Sequence, residues 1–434
     1  MRLSRAFCLA LALGLIAEPR VASAYIDPGT GSALFYVVTG VVVSAYFAVR
    51  GLYYRVLDLF FRARFKHSRC SIAVHCEDPR YEITFLPILK NLAAQGIAPT
   101  LFTMYERDAS FEPLPAEVTH RAIPPGMVGY AYLNHIDATL LVTTTPQLDV
   151  MTFRRSRRVR HYVMVQHALG ECRFVRPYAY DYFDTVLCCG EVLKKNIRRM
   201  EALRASRPKQ LLETGLPHYE ALIARRDAAA PRAGRTCVLV APSWGPLSMF
   251  EAYGTDFIAG IAERFEVIVR PHPQMRASQP ALYARILATR GVEVDTSRTP
   301  SDAMSRADIL LSDISGIAHE FAFIYERPVV VIDRHLEPGG LEGELLGGES
   351  EVKQRCGEFI VALPGTRIAE VSVELARVLA AHSPERLRQV RDELIYNFGN
   401  ASEVASRQLV DIFNREKVVS TLPQAAALLR QESA

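Results

Sequence analysis

A short apolar run, Ile309 to Leu311, leads into the polar, glycine-containing stretch Ser312-Asp-Ile-Ser-Gly316. Apolar residues at helical spacing follow, so the pattern predicts a strand, a turn and then a helix with Ser315 as its N-cap. A helix N-terminus directs unpaired N–H groups and the positive end of its dipole at one point, where phosphate binds readily. Glu320 lies within the first two turns, in reach of ribose hydroxyls. An ordinary capped helix after a buried strand is the alternative.

Two histidines follow predicted strands and are candidates for proton transfer. His272 belongs to Arg270-Pro-His-Pro273, in which two prolines hold the backbone extended. Arg270 can offer a bidentate fork to phosphate oxygens, and His272 can donate a hydrogen bond or a proton. His167 ends another predicted strand, where it can act as general base on an acceptor hydroxyl. The alternatives are a rigid loop around His272 and a core histidine at position 167.

The elements that must position these residues alternate between short apolar runs and helical patterns from about residue 70 onward. Such βα alternation predicts parallel sheets covered by helices on both faces. The Ala/Arg-rich stretch 221–235 divides the pattern into two sets. We therefore predict an α/β protein of the GT-B type, with two doubly wound, Rossmann-type domains facing each other across a cleft. Ligands of such sheets bind at the carboxyl ends of the strands, where both histidines lie.

The predicted segments are an N-terminal domain at 68–215, a linker at 216–235, a C-terminal domain at 236–395 and a helical tail at 396–434 that packs back across the first half. The predicted strands are 71–76, 99–104, 138–143, 161–166 and 185–189 in the first domain, and 237–241, 265–270, 292–294, 309–311 and 328–332 in the second. The stretch 384–413 is predicted to be helical.

The first 54 residues have the composition of a targeting and membrane segment. Two arginines precede the apolar run 6–17, and Val21-Ala-Ser-Ala24 fits a signal-peptidase site, which predicts a signal peptide over 1–24. Residues 33–49 carry no charge and predict a single transmembrane segment within 25–54, with a buried core helix as the alternative. Basic residues beyond position 50 predict that the remainder faces the cytoplasm at a bacterial-type inner membrane. If the signal is not cleaved, the two apolar runs form a hairpin.

Composition narrows the class of protein. The 434 residues are 49% hydrophobic and 23% charged, which is typical of a globular protein of two or three domains and excludes a disordered chain. A net charge of +4 does not favour a nucleic-acid partner. The cysteines have no zinc-site spacing, no P-loop is present, and nothing in the sequence calls for a metal or other cofactor. Five arginines between positions 154 and 160 predict a solvated face, or a contact with anionic lipid or an acidic acceptor.

These motifs occur in the same order as those of the CDP-glycerol glycerophosphotransferases, the GT-B enzymes among teichoic-acid primases and polymerases. The chain resembles that family over roughly residues 160 to 335. The matching stretches are Gln166-His167, Thr214-Gly-Leu-Pro217, Ala241-Pro-Ser-Trp244, Arg270-Pro-His-Pro273 and Ser312-Asp-Ile-Ser315 with Glu320. The sequence departs from the family at Ala168, in place of glycine, at Arg173, the cation nearest to an expected lysine, and at Gly316, in place of a second serine.

The resemblance implies a nucleotide-diphosphate donor in the C-terminal domain and an acceptor in the N-terminal domain. It implies that His167 is the base, and that Arg270 and His272 stabilise charge on the transferring phosphoryl group. Glu320 would meet the ribose. The residues implied to bind the substrate are Ser243, Ser312, Asp313, Ser315 and Gly316, beside Glu320.

We therefore expect a membrane-anchored transferase that moves glycerol phosphate, or a similar polyol phosphate, from a CDP-linked donor to a hydroxyl of a lipid-linked or glycan acceptor, releasing CMP. The expected partners are the CDP-activated donor, that acceptor and membrane lipid. Ser-Asp-x-Ser-Gly with a following glutamate is also similar to the UDP-N-acetylglucosamine 2-epimerases. The alternatives are therefore a glycosyltransferase or epimerase, and a non-catalytic membrane protein that binds a nucleotide.

Overall fold

The computed structural model describes residues 37–46, 48–49, 51–53, 56, 59, 69–229, 234–297, 300–313, 315–333 and 341–432, the last of these as backbone alone from 419. The chain divides into two compact units, Met1–Phe60 and Phe61–Ala434. In the first unit, the described residues are helical and their large apolar side chains are exposed. None of the described helices is both long enough and apolar enough to span a bilayer. The predicted signal peptide lies outside the described residues, and the membrane segment over 25–54 stays a prediction.

The second unit contains a sheet of seven parallel strands in the order β3-β2-β1-β4-β5-β6-β7. Most of its strands read as continuous apolar runs because helices cover both faces, and the central strands are almost wholly buried. Their bounds are β1 Arg69–Cys76, β2 Thr100–Thr103, β3 Thr119–Ala122, β4 Asp137–Thr143, β5 Val159–Val165, β6 Thr185–Cys188 and β7 Gln210–Glu213.

The same unit contains a second parallel sheet of six strands, in the order β10-β9-β8-β11-β12-β13. The predicted α/β architecture with two parallel sheets is therefore confirmed. The bounds of the strands are β8 Cys237–Ala241, β9 Glu266–Val269, β10 Glu293–Val294, β11 Ile309–Ser312, β12 Val329–Asp333 and β13 Ile360–Pro364.

Helices connect the strands and cover both sheets. In the first half they are α1 Glu82–Ala94, α2 Met127–Leu133, α3 Glu191–Arg204 and α4 His218–Asp227. In the second half they are α5 Met249–Tyr253, α6 Phe257–Ala262, α7 Met275–Ser278, α8 Pro280–Leu287, α9 Ser301–Arg306, α10 Ile317–Tyr325, α11 Gly343–Leu346, α12 Glu351–Cys356, α13 Val371–Ala381, α14 Pro384–Leu394 and α15 Ala401–Glu432.

The long helix α15 returns to the first sheet and completes its core, as predicted for the tail. Ala405, Leu409 and Ile412 are buried in the same apolar cluster as residues of β1 and α1. Burial of a large aliphatic side chain contributes about 1.5–3 kcal/mol, so this contact stabilises the first half substantially. Ser402 Oγ, at the start of the helix, accepts a hydrogen bond of 2.9 Å from Asn91 Nδ2 on α1.

The structure adds detail to two predicted segments. The stretch 216–235, predicted to be a linker, contains α4, because alanine and arginine favour helix and the helix buries Tyr219 and Leu222. The stretch 384–413, predicted to be helical, forms two helices, α14 and α15, separated by residues 395–400. Asn397 and Gly399 both have positive φ there, a conformation that ends helices.

Candidate functional site

The predicted histidines both lie where a strand ends at its carboxyl edge. His167 comes two residues after β5 in the first sheet, and His272 three residues after β9 in the second. The short 3₁₀ turn Pro79–Tyr81 follows β1 at the same edge of the first sheet. The helix α10 begins just beyond β11, in the second sheet. The structure therefore positions the candidate residues at the edge where parallel sheets bind ligands.

His167 is half-buried, and its ring packs against Tyr81. Its ring lies 4.4 Å from the ring of Tyr81, centroid to centroid, and its Nδ1 is buried without a hydrogen-bond partner among the described residues. Burial, together with the charges of His218 and Arg80, lowers the pKa of His167 to about 4. The ring is consequently neutral at pH 7, which is the protonation state that a general base needs.

Arg80 connects the two histidines electrostatically, and sequence reasoning missed it. Its guanidinium makes a two-pronged contact with Asp78, with Nε 2.9 Å from Oδ1 and Nη2 3.1 Å from Oδ2. Its positive charge lowers the pKa of His167 and also that of His272, in the other sheet. The charge of Arg80 therefore acts on a histidine of each half of the fold. The polar residues that follow β1 were the sequence signal that could have identified Arg80.

His272 is held by its own loop. Its Nδ1 accepts a hydrogen bond of 3.1 Å from the backbone N–H of Gln274, and its ring lies 6.1 Å from that of Trp244. Burial, reinforced by the charges of Arg80 and Arg270, lowers its pKa to about 4. With Nδ1 accepting, the neutral ring carries its proton on Nε2, so Nε2–H is available as a donor.

Arg270 is buried and already paired. Its Nη1 lies 2.5 Å from Asp295 Oδ2 and 3.1 Å from Ser297 Oγ. The Asp295 carboxylate compensates the buried guanidinium charge, which would otherwise be costly. This pairing fixes the orientation of Arg270. Its predicted contact with the transferring phosphoryl group stays a prediction.

Ser312 and Asp313 direct their polar atoms into the protein. Ser312 Oγ donates to the carbonyl of Ala241 at 2.6 Å. The two carboxylate oxygens of Asp313 accept from the backbone N–H groups of Ser243, at 2.8 Å, and Met249, at 2.9 Å. Burial raises the pKa of Asp313, and these backbone donors partly offset the rise. Both residues therefore hold the loop after β8 in place. Their predicted direct contact with the donor, like that of Ser243, stays untested.

The helix α10 begins at Ile317, and Ser315 is not its N-cap, contrary to the prediction. Gly316 occupies the N-cap position, and no side chain caps the helix. Gly316 is exposed, and a Cβ added there would meet no atom within 4 Å. No side chain accepts from the first N–H groups of this nine-residue helix, which makes its N-terminus a candidate for anion binding.

Glu320 has a partner that sequence reasoning did not identify. Its Oε1 lies 3.5 Å from Nε2 of His218, the first residue of α4. His218 is buried, and neither of its ring nitrogens makes a hydrogen bond within the described part of the chain. Since His218 also influences the pKa of His167, it links Glu320 in the second half to the candidate base in the first.

Thr214 and Gly215, which precede His218, contact the C-terminal segment. Gly215 has φ +99°, and a Cβ there would lie 2.1 Å from the carbonyl oxygen of Tyr396. Thr214 Oγ1 donates to Gln408 Oε1 at 2.6 Å. Only glycine permits this close approach, so the Thr-Gly pair sets where α4 starts and therefore where His218 lies.

Further contacts fix the two sheets relative to each other. Arg173 donates Nη2 to the carbonyl of Gly347 at 2.6 Å, and Glu171 Oε1 accepts from Ser350 Oγ at 3.0 Å. Arg173, the cation nearest to the family's lysine position, is therefore part of the interdomain contact. No cluster of three or more potential metal ligands occurs among the residues that the structure describes.

Comparison with known proteins adds information about the fold. The sequence matches no protein-family profile and no curated protein. The wall teichoic acid polymerase TagF superimposes with a TM-score of 0.53 at 12% identity, covering 80% of this chain and 89% of that one. A Listeria monocytogenes protein assigned as a UDP-N-acetylglucosamine 2-epimerase superimposes with a TM-score of 0.51 at 11% identity, covering 77% of this chain and 94% of that one. The S. aureus MnaA–UDP structure superimposes with a TM-score of 0.52 at 13% identity, covering 80% of this chain and 97% of that one.

At these identities the similarity concerns the fold. Two parallel-sheet α/β halves arranged as in GT-B proteins confirm the predicted architecture.

Proposed function

We propose that this protein is a transferase that moves glycerol phosphate, or a similar polyol phosphate, from a CDP-linked donor to a hydroxyl of a lipid-linked or glycan acceptor. One observation carries the proposal. His167 follows the carboxyl end of β5 and His272 follows that of β9, at the ligand-binding edges of the two sheets, and the charge of Arg80 lowers the pKa of both. A base and a hydrogen-bond donor that are both influenced by one cation suit transfer of an anionic group.

The proposed reaction is a direct displacement. The acceptor oxygen attacks the β-phosphorus of the donor while its proton passes to the neutral ring of His167. The bond from that phosphorus to the bridging oxygen breaks, and CMP leaves with the oxygen and the electron pair. Phosphoryl transfer depends on positioning and on stabilising charge rather than on covalent help from the protein.

The remaining residues would stabilise the negative charge. In this proposal His272 Nε2–H, Arg80 and the N–H groups at the start of α10 donate to the equatorial and leaving oxygens. The diphosphate of the bound donor would also raise the pKa of His167, because a nearby negative charge favours the protonated ring. The base is then weak in the free protein and stronger once the donor is bound. TagF, which has also been studied after a soak with CDPG, has the same fold and supports the choice of donor.

The test is CMP release by the full-length protein in detergent, given CDP-glycerol and a membrane-lipid extract. We expect His167→Ala to slow release by roughly 100-fold or more, the usual contribution of a general base. His272→Ala should cost a similar factor through lost charge stabilisation. His120→Ala is the matched control, because this partly buried histidine lies on the edge strand β3. Release that is unaffected by both cleft substitutions would contradict the mechanism.

Sugar-nucleotide chemistry is the second candidate, supported by Gly316 and by Glu320 with its His218 partner. Binding of uridine rather than cytidine nucleotides in a thermal-shift screen would favour it over the glycerophosphotransferase. Binding without turnover of either class would favour a non-catalytic nucleotide-binding protein. Membrane anchoring, with this unit facing the cytoplasm, is part of the proposal, since the apolar N-terminal segment and its basic flank predict it.

A further inference from the structure

A cavity of about 300 Å³ lies at the opposite edge of the first sheet from the candidate site. Its lining includes the first residues of β1 and β4 and the stretch that enters β5, with Arg69 aligned beside Asp137. All three strands are parallel, so this is their amino edge. At 3.3 Å per residue, the seven residues of β5 separate the cavity from the carboxyl edge by roughly 20 Å. The cavity is therefore distinct from the site around His167.

Four arginines line this cavity, Arg69, Arg157, Arg158 and Arg160, and all four are exposed. Within the described part of the chain, Arg69, Arg157 and Arg158 form no ion pair, and Arg160 donates Nη1 to the backbone carbonyl of Glu416. Asp137 contributes the one carboxylate among the lining residues, which leaves a formal charge of three positive. Like charges brought together repel each other in the folded state, so an anion here would relieve a cost.

The sequence around the cavity indicates which anion it takes. Arg69 begins β1, and it directly follows the basic run that contains Arg62, Arg64 and Lys66. That run itself follows the apolar segment for which we predicted a membrane location. Basic residues next to a membrane segment are attracted to the anionic lipids of the cytoplasmic leaflet.

We propose that this cavity, which we call the amino-edge basic cavity, binds the phosphate of an anionic membrane lipid. Arg69, Arg157, Arg158 and Arg160 would supply guanidinium donors to the headgroup, in a hollow large enough for a phosphate and part of its glycerol. The proposal does not depend on the identity of the donor nucleotide. It assigns to the arginine-rich stretch a function separate from catalysis.

The experiment is a flotation assay with the full-length protein and two kinds of vesicle, phosphatidylcholine alone and an equal mixture with phosphatidylglycerol. The apolar N-terminal segment gives both vesicles the same baseline, so the difference between them reports headgroup attraction. One basic residue near an anionic surface is worth about fivefold in binding, so Arg157→Gln with Arg158→Gln should reduce the extra binding to phosphatidylglycerol vesicles by roughly 25-fold. About 1 M salt should abolish the increment, because it shortens the Debye length to about 3 Å.

Two further variants separate the cavity from overall charge. Lys195→Gln with Arg199→Gln removes two exposed cations from α3, outside the cavity, and should leave the increment intact. Arg157→Lys with Arg158→Lys should retain most of it. Equal losses from the cavity pair and the α3 pair, or equal binding to both vesicles, would overturn the proposal. The proposal would also be overturned if soluble glycerol phosphate raised the thermal midpoint of the wild type, Arg157→Gln with Arg158→Gln abolished that rise, and flotation was unchanged. The cavity would then be a small-molecule site.

Discussion

Arg80 shows how a site can depend on a residue that belongs to no motif. It follows β1, is held by Asp78, and its charge reaches histidines of both sheets. His167 and His272 could be predicted because each comes at the end of an apolar run. Arg80 and His218 could not, since their proximity to those histidines arises only when distant parts of the chain fold together.

Arg80→Gln should raise the pKa of both His167 and His272, because it removes a positive charge that disfavours the protonated rings. Both pKa values should remain below 6.5, since burial is the larger cause of the lowering. Proton NMR titration of the histidine rings measures this. We also expect a loss of CMP release of roughly tenfold or more.

Arg199→Gln, on the exposed face of α3, is the control and should move neither pKa. If only one of the two histidines responds to Arg80→Gln, the two rings do not share a cation, and the single cleft on which the proposed reaction rests is lost.

At the scale of elements, strands were easier to predict than caps and breaks. Long apolar runs such as Asp137–Thr143 form strands that are buried on both faces, and an unbroken apolar pattern in the sequence indicates such burial. The edge strands β3 and β7 were missed because their residues are largely exposed or half-buried. The N-cap of α10 was misplaced by one residue, since Ser315 and Gly316 are both acceptable caps and the tertiary structure decides between them.

Gly316 and Gly215 should respond differently to substitution by alanine. At Gly316 the φ is −61° and the surroundings are open, so Gly316→Ala should leave the thermal midpoint unchanged. It should weaken binding of the CDP-linked donor by roughly tenfold if the diphosphate approaches this backbone closely. Isothermal titration calorimetry and thermal unfolding measure the two effects.

Gly215→Ala is the opposite case. The residue has φ +99° and its Cβ would collide with the Tyr396 carbonyl, so we expect destabilisation by about 1–3 kcal/mol or more.

A Gly316→Ala protein that binds donor as well as the wild type would argue against an anion site at the start of α10.

At the scale of the whole molecule, buried neutral histidines connect stability to pH. Burial lowers the pKa of His75 to about 3, and that of His319 to about 4, as it does for His167 and His272. In the unfolded chain each of them titrates near 6.5. Below pH 6.5 the unfolded state therefore binds protons that the folded state does not, and the unfolded state gains in relative stability.

The free energy of unfolding should consequently be greatest above about pH 6.5 and fall as the pH is lowered toward 4. His75 is wholly buried, and its Nδ1 lies 3.0 Å from Thr143 Oγ1. Its contribution should be a few kcal/mol, on the order of 1.4 kcal/mol for each pKa unit. His75→Asn retains a polar group for Thr143 and cannot titrate, so thermal midpoints measured between pH 7 and pH 4 should fall less steeply than in the wild type. His382→Asn, at a partly exposed position, is the control for the substitution itself. If the two variants and the wild type lose stability in parallel, carboxylates rather than buried histidines govern the acid limit of this fold.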